Sequence, residues 1–203
     1  MSGTADPTTI RIVSCDDPDH VIYEARNVRS MRKAVEQAVK NKVSLAGANL
    51  AGENLAGANL IGANLVEADL TGANLTGTIL AEANLDQANL KEANLGGAIL
   101  CLATLTKANL TKADLNEAIL IKANLNEAIL VEADLIKTNL VEADLVGANL
   151  TEATLIKANL GWTDLTKAIL DGAILGRANL EGATLDEADL TEADLNQAIL
   201  DGA

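Results

Sequence analysis

Residues 45–70 read LAGANLAGENLAGANLIGANLVEADL, with leucine at Leu45, Leu50, Leu55, Leu60, Leu65 and Leu70. The spacing continues without omission to Leu200, which makes 32 leucines five residues apart. Alanine stands two residues ahead of almost every one, with Glu53, Thr78, Thr138 and Thr163 in its place, and Asn or Asp usually stands immediately before the leucine. A period of five fits neither regular element. On an α-helix, five steps of about 100° leave successive leucines about 140° apart, so they spiral around the axis. On a flat strand an odd period sends them to alternate faces. The leucines are buried together only if the chain turns a corner once per unit, with Leu and Ala inward and successive coils paired backbone to backbone.

Composition agrees with a repeated packing unit. Hydrophobic residues make up 49% of the chain but aromatics only 1%, so the core is built from Leu, Ile, Val and Ala. An ordinary globular core interdigitates mixed shapes. Such uniformity instead belongs to stacked repeats.

Residues 1–43 read as a separate module. Thr9 to Val13 and Val21 to Tyr23 are β-branched or aromatic runs around the turn-forming stretch Cys15 to His20, which predicts a hairpin. Ser30 is placed as N-cap before Met31, Ala34, Val35, Ala38 and Val39, apolar at the spacing of an amphipathic helix. That helix needs cover for its apolar face, and the first coil of the repeats needs a cap. The expected division is therefore a capping hairpin and helix over 1–43 and a repeat solenoid over 44–203.

The net charge is -14. Residues 1–43 carry 6 acids and 7 bases, and the repeats 23 acids and 8 bases, so the acidity belongs to the rod. An acidic rod repels the phosphate backbone, which argues against direct nucleic-acid binding. Cys15 and Cys101 show neither disulfide nor zinc spacing. The N-terminal stretch has no leader pattern and no run approaches the ~20 apolar residues of a membrane helix, so a cytoplasmic protein is expected.

Units such as Ala58-Asn59-Leu60-Ile61-Gly62 and Ala143-Asp144-Leu145-Val146-Gly147 resemble the pentapeptide-repeat family. The resemblance implies an all-β solenoid, a right-handed quadrilateral β-helix with four pentapeptides per coil and so about 8 coils. One internal spacing agrees: Ile79, Ile99 and Ile119 replace Asn or Asp at intervals of 20. At a strand spacing of about 4.8 Å the rod is roughly 40 Å long. The leading segment also resembles the N-terminal cap of some bacterial members.

No catalytic, cofactor or metal site is expected. Acid-base chemistry needs a pocket that isolates a carboxylate pair, and a convex rod without inserted loops offers none. Cys15, Asp16, Asp17, Asp19 and His20 read as a polar turn, because zinc needs four convergent ligands. The Asn and Asp before each leucine read as structural, bonding local backbone at the corners. Function then rests on the outer surface. A 20-residue coil gathers Ile61, Ile79, Ile99, Cys101, Leu102, Ile119, Ile121, Val141 and Trp162 beside the core column Leu60 to Leu160, and this apolar face is the expected contact surface for an unidentified protein partner. The alternative is an acidic DNA mimic that binds DNA gyrase or topoisomerase IV, as the resemblance to quinolone-resistance members implies. About 40 Å of duplex carries roughly 23 phosphate charges; the 23 acids of the repeats match, but Lys137, Lys157 and Arg177 in one column interrupt that pattern. Because the sequence stops inside a repeat unit at Ala203, end-to-end pairing through the C-terminal coil as a homodimer is also expected.

Overall fold

The computed structural model describes residues 8–203; residues 1–7, most of the N-terminal stretch read for a leader, lie outside the described residues. Strand β1 (Thr9–Val13) pairs antiparallel with β2 (Val21–Arg26), with a register shift between Ile12 and Val13. Helix α1 (Met31–Lys40) follows. Ser30 is its N-cap, the hydroxyl accepting from the Lys33 N–H at 3.3 Å. The helix buries Ala34, Val35 and Ala38, the stripe that its spacing predicted.

From Ser44 onward each unit has the same backbone, and one unit shows how its five amides are spent. The Leu110 N–H donates to Ile129 O at 2.7 Å, the Lys112 N–H to Val131 O at 2.9 Å, and the Asp114 N–H to Ala93 O at 2.9 Å. These three bonds join neighbouring coils. The Ala113 N–H closes the corner by donating to Leu110 O at 3.0 Å. The fifth amide, Thr111, has no backbone acceptor and donates to the Asn109 side-chain Oδ1 at 3.1 Å. Asn and Asp are therefore placed before leucine because their short side chain reaches the amide two residues on.

Parallel bridges link residues 20 apart, from Asn49–Asp69 through to Asn179–Ile199, so four units complete a turn. They form four columns, beginning at Asn49, Asn54, Asn59 and Asn64, which mark the four faces. Leucines inside are fully buried as far as Leu180, and the alanines pack between them. Where threonine replaces alanine, the buried hydroxyl finds a carbonyl: Thr78 donates to Leu55 O, Thr138 to Leu115 O and Thr163 to Leu140 O, at 2.8–3.0 Å. Such a bond removes the penalty of an unpaired buried hydroxyl.

The second residue of each corner is left-handed, with φ between 54° and 74°. Glycine adopts this conformation freely, as at Gly72. Many corners instead hold Glu, Lys or Gln there, at roughly 1–2 kcal/mol each against the right-handed form. The ladder on both sides imposes that geometry.

The cap supplies what a preceding coil would. Val13 O accepts from the Asn49 N–H at 2.8 Å, the Cys15 N–H donates to Gly47 O at 2.8 Å, and Glu36 Oε1 accepts from the Asn59 N–H at 3.2 Å. At the other end, Leu185, Leu190 and Leu195 are half-buried and Leu200 is 44% exposed.

Leu120 has no exposed surface, and its neighbours are held by the ladder on both sides. Leu120→Ala is expected to cost about 2–5 kcal/mol in chemical denaturation, because the coil cannot collapse around the gap. Glu36 offers a test at the cap. Burial raises its carboxyl, but hydrogen bonds from Lys33, the Asn59 N–H and Arg32 outweigh this and hold it below its ordinary value. A lowered folded-state pKa gives stability that is present above the unfolded value, roughly 4.3, and lost as pH falls through the folded value. Hydrogen exchange is expected to show the Asn59 amide losing protection on acidification before the Leu120 amide does.

Candidate interaction face

The third face is the column Asn59, Ile79, Ile99, Ile119, Asn139, Asn159, Asn179 and Ile199. Ile79, Ile99 and Ile119 stack through direct bridges and are half-buried against one another. The corner that follows this face carries the other predicted residues. Ile61, Cys101, Ile121 and Val141 occupy its first position, and Leu102 and Trp162 its left-handed second position. Leu102 is 54% exposed and Ile61 49% exposed.

The coils thus bring Ile79, Ile99, Cys101, Leu102, Ile119, Ile121 and Val141 into one strip. Ile61 lies at its N-terminal end, beside Val39 and Val43 of the cap, where a recess of about 500 Å³ separates α1 from the first coil. Trp162 stands apart from the strip. The pair Lys122–Glu142, at 3.1 Å, lies between it and Leu102, and Gly161 leaves the neighbouring corner position bare. Its indole, 66% exposed, folds instead toward the C-terminal end, over Gly182. A Cβ at Gly182 would meet the ring at 2.7 Å, so that glycine is what lets the indole lie flat. The other faces are not uniformly polar. Ile129 and Ile169 are exposed on the first face and Ile174 on the second.

The isoleucine ladder has a second consequence. Isoleucine cannot accept a hydrogen bond, so the amides two residues on, those of Ala81, Cys101 and Ile121, lack the side-chain bond that Asn or Asp supplies elsewhere. Among the described residues these three stack in successive coils with no protein acceptor. An apolar ridge and a row of unused donors therefore run side by side. Composition marked the isoleucines as apolar; the unused amides follow only once the asparagine bond is known.

The cations of the rod are mostly neutralised along corner columns. Lys107 meets Glu127, Lys112 meets Glu132, Lys137 meets Glu117 and Lys167 meets Glu187, each pair one coil apart at 2.8–3.7 Å. The mutual hydrogen bond and attraction of Lys137 and Glu117 raise the lysine and lower the carboxylate. These pairs are solvent-exposed and contribute little to stability individually. They break up the acidic surface.

A rod wound from five-residue units, cornered by a left-handed residue and tied by a 20-residue ladder, defines a β-solenoid. The family described as Pentapeptide repeats (8 copies) matches residues 41–77, 68–106, 108–145, 133–172 and 170–202, and the chain belongs to that family. A solved structure, the pentapeptide-repeat protein HetL of the cyanobacterium Nostoc sp. strain PCC 7120, is 38% identical over 79% of this chain and 80% of its own, with a TM-score of 0.52. HetL is involved in the regulation of heterocyst differentiation. QnrB1, a plasmid-mediated fluoroquinolone resistance protein, is 19% identical over 76% of this chain and 77% of its own, with a TM-score of 0.60, and shares the fold. These relatives imply a right-handed quadrilateral β-helix. No curated protein matches the chain significantly. Among the described residues no helix is long and apolar enough to cross a membrane.

Proposed function

We propose that the chain is a non-enzymatic interaction scaffold that presents its third face, with the corner that follows, to an apolar segment of a protein partner. The observation that carries this reading is the coincidence of the Ile79–Ile99–Ile119 ladder with the unused amides of Ala81, Cys101 and Ile121. Apolar surface supplies the driving force for association, and unsatisfied donors favour a partner that brings acceptors. Exposed Leu102 widens the strip beside Cys101, and exposed Ile61 extends it toward the cap. A role through binding also fits the relative HetL, whose part in heterocyst differentiation is regulatory.

The acidic excess of the rod, 23 acids against 8 bases, supports one alternative, a DNA mimic that occupies the DNA site of gyrase. The stacked isoleucines and the cationic corner columns weigh against it, because neither resembles a phosphate backbone.

The deciding experiment is affinity capture from the source cell with the native chain and with Ile99→Asn, Ile119→Asn and Ile121→Thr combined. The variant is expected to fold, since Asn at positions 99 and 119 restores the corner acceptor, and to retain less than about a tenth of the captured partner, a loss worth at least 1.4 kcal/mol. Equal capture by both proteins would remove the face from consideration. Recovery of gyrase subunits with inhibition of supercoiling by both proteins would establish the alternative.

A further inference from the structure

The corner between the second and third faces has a different character at its C-terminal end. Its column of second corner positions runs Glu117, Lys137, Lys157, Arg177 and Gln197. The repeats hold eight lysine and arginine side chains, and six of them meet a carboxylate within 4 Å. The two that do not are Lys157 and Arg177, neighbours in successive coils. Both are exposed, and Arg177 makes one side-chain bond, from Nε to the neutral Gln197 Oε1 at 2.8 Å.

The backbone at this point is also incomplete. Thr154 and Ile174 stand where Asn or Asp would accept from the corner amide, and among the described residues the Ile156 and Gly176 N–H groups have no acceptor. Both belong to the same corner column, one coil apart, and so are separated by about 4.8 Å. In intact units this amide bonds an outward side chain, so both donors face the outer surface. Gly176 has no side chain to cover them, and a recess of about 260 Å³ lies here, lined by Ile156, Lys157, Ile174, Gly176, Arg177 and Asp194. Asp194 is the one carboxylate on its rim, and its Oδ1 already accepts from the Asn196 N–H at 2.9 Å.

We propose that this recess is a binding site for a phosphate group in its dianionic form. Two backbone donors one coil apart can each take one phosphate oxygen, while Lys157 and the free edge of the Arg177 guanidinium supply the opposing charge. Convergent backbone N–H groups form anion-binding concavities, and the arginine fork matches phosphate oxygens. A dianion suits two uncompensated cations better than a carboxylate does. The acidity of the rest of the rod confines such binding to this corner. The site lies on the opposite edge of the third face from the apolar corner and does not depend on the partner-binding reading.

The test is amide NMR of the full chain titrated with inorganic phosphate at pH 7.5, against sodium chloride of equal ionic strength. The Ile156 and Gly176 amides are expected to shift and saturate together with phosphate and not with chloride. Lys157→Gln with Arg177→Gln is expected to weaken binding about tenfold or more, since hydrogen bonds to charged groups contribute at least the ~1.4 kcal/mol that a factor of ten requires. Thr154→Asn with Ile174→Asn, which leaves both cations in place but returns acceptors to the two amides, is expected to weaken it as well. A serine phosphopeptide and its unphosphorylated twin separate the sources. Binding of the phosphopeptide at the same amides assigns a phosphorylated chain, and binding of inorganic phosphate alone assigns the free ion. Shifts that match chloride, or phosphate affinity unchanged in either double variant, overturn the proposal.

Discussion

The structure depends on where the five amides of each pentapeptide go. Three cross to neighbouring coils, one closes the corner, and one has no backbone acceptor within reach. That fifth amide is the reason the family motif contains a short polar residue before leucine. Buried backbone donors are nearly always paired, and a short side chain two residues back, Asn or Asp in most units and Ser44 in the first, pairs this one without disturbing the ladder. The inward leucine and the outward asparagine are thus two consequences of one corner.

The same corner explains the composition. A left-handed second position favours glycine, yet Glu, Lys and Gln hold it through much of the rod. Their conformation is fixed by inter-coil bonds on either side, such as Lys112 N–H to Val131 O, and their side chains project into water, where they form ion pairs one coil apart. Beyond Glu53 in the first coil, the inward positions of the rod hold leucine, alanine and an occasional threonine whose hydroxyl meets a carbonyl. No ring occupies the leucine core of the repeats, and the one tryptophan lies outside, on a glycine.

Much of this was legible in the sequence because it repeats. The inward leucines, the hairpin, the Ser30 cap and the structural role of Asn and Asp followed from spacing and residue chemistry. The coil size was legible only through the interval of 20 between Ile79, Ile99 and Ile119 and through the family resemblance, since a period of five is compatible with any number of sides. Strand β2 runs on through Glu24, Ala25 and Arg26, past the β-branched run, because its partner β1 continues to offer backbone bonds as far as Thr9. What stayed hidden were relations between side chains one coil apart. Trp162 belongs to the predicted corner by register, but its direction is set by the absence of a Cβ at Gly182. Lys157 and Arg177 were visible as part of a column; that they alone among the cations of the repeats lack a carboxylate depends on which acids the coils bring opposite them.

Loss of the asparagine acceptor has no fixed meaning, and its neighbours decide what it becomes. At Ile129 and Ile169 the Val131 and Asp171 amides are freed singly, with bonded corners above and below, and water is an adequate partner there. Along Ile79, Ile99 and Ile119 the loss recurs in three successive coils beside apolar corner residues, which couples unused donors to a surface that gains by leaving water. At Thr154 and Ile174 it recurs in two coils beside cations that no carboxylate neutralises, which couples the same donors to charge. A repeat this regular encodes difference through interruptions of its side-chain hydrogen bonds, because the backbone ladder and the leucine core continue unchanged through them. Where a unit departs from Asn or Asp before leucine, the coil beside it decides whether the corner amide is paired again, as Asp86 pairs Thr106, or left beside apolar or cationic residues.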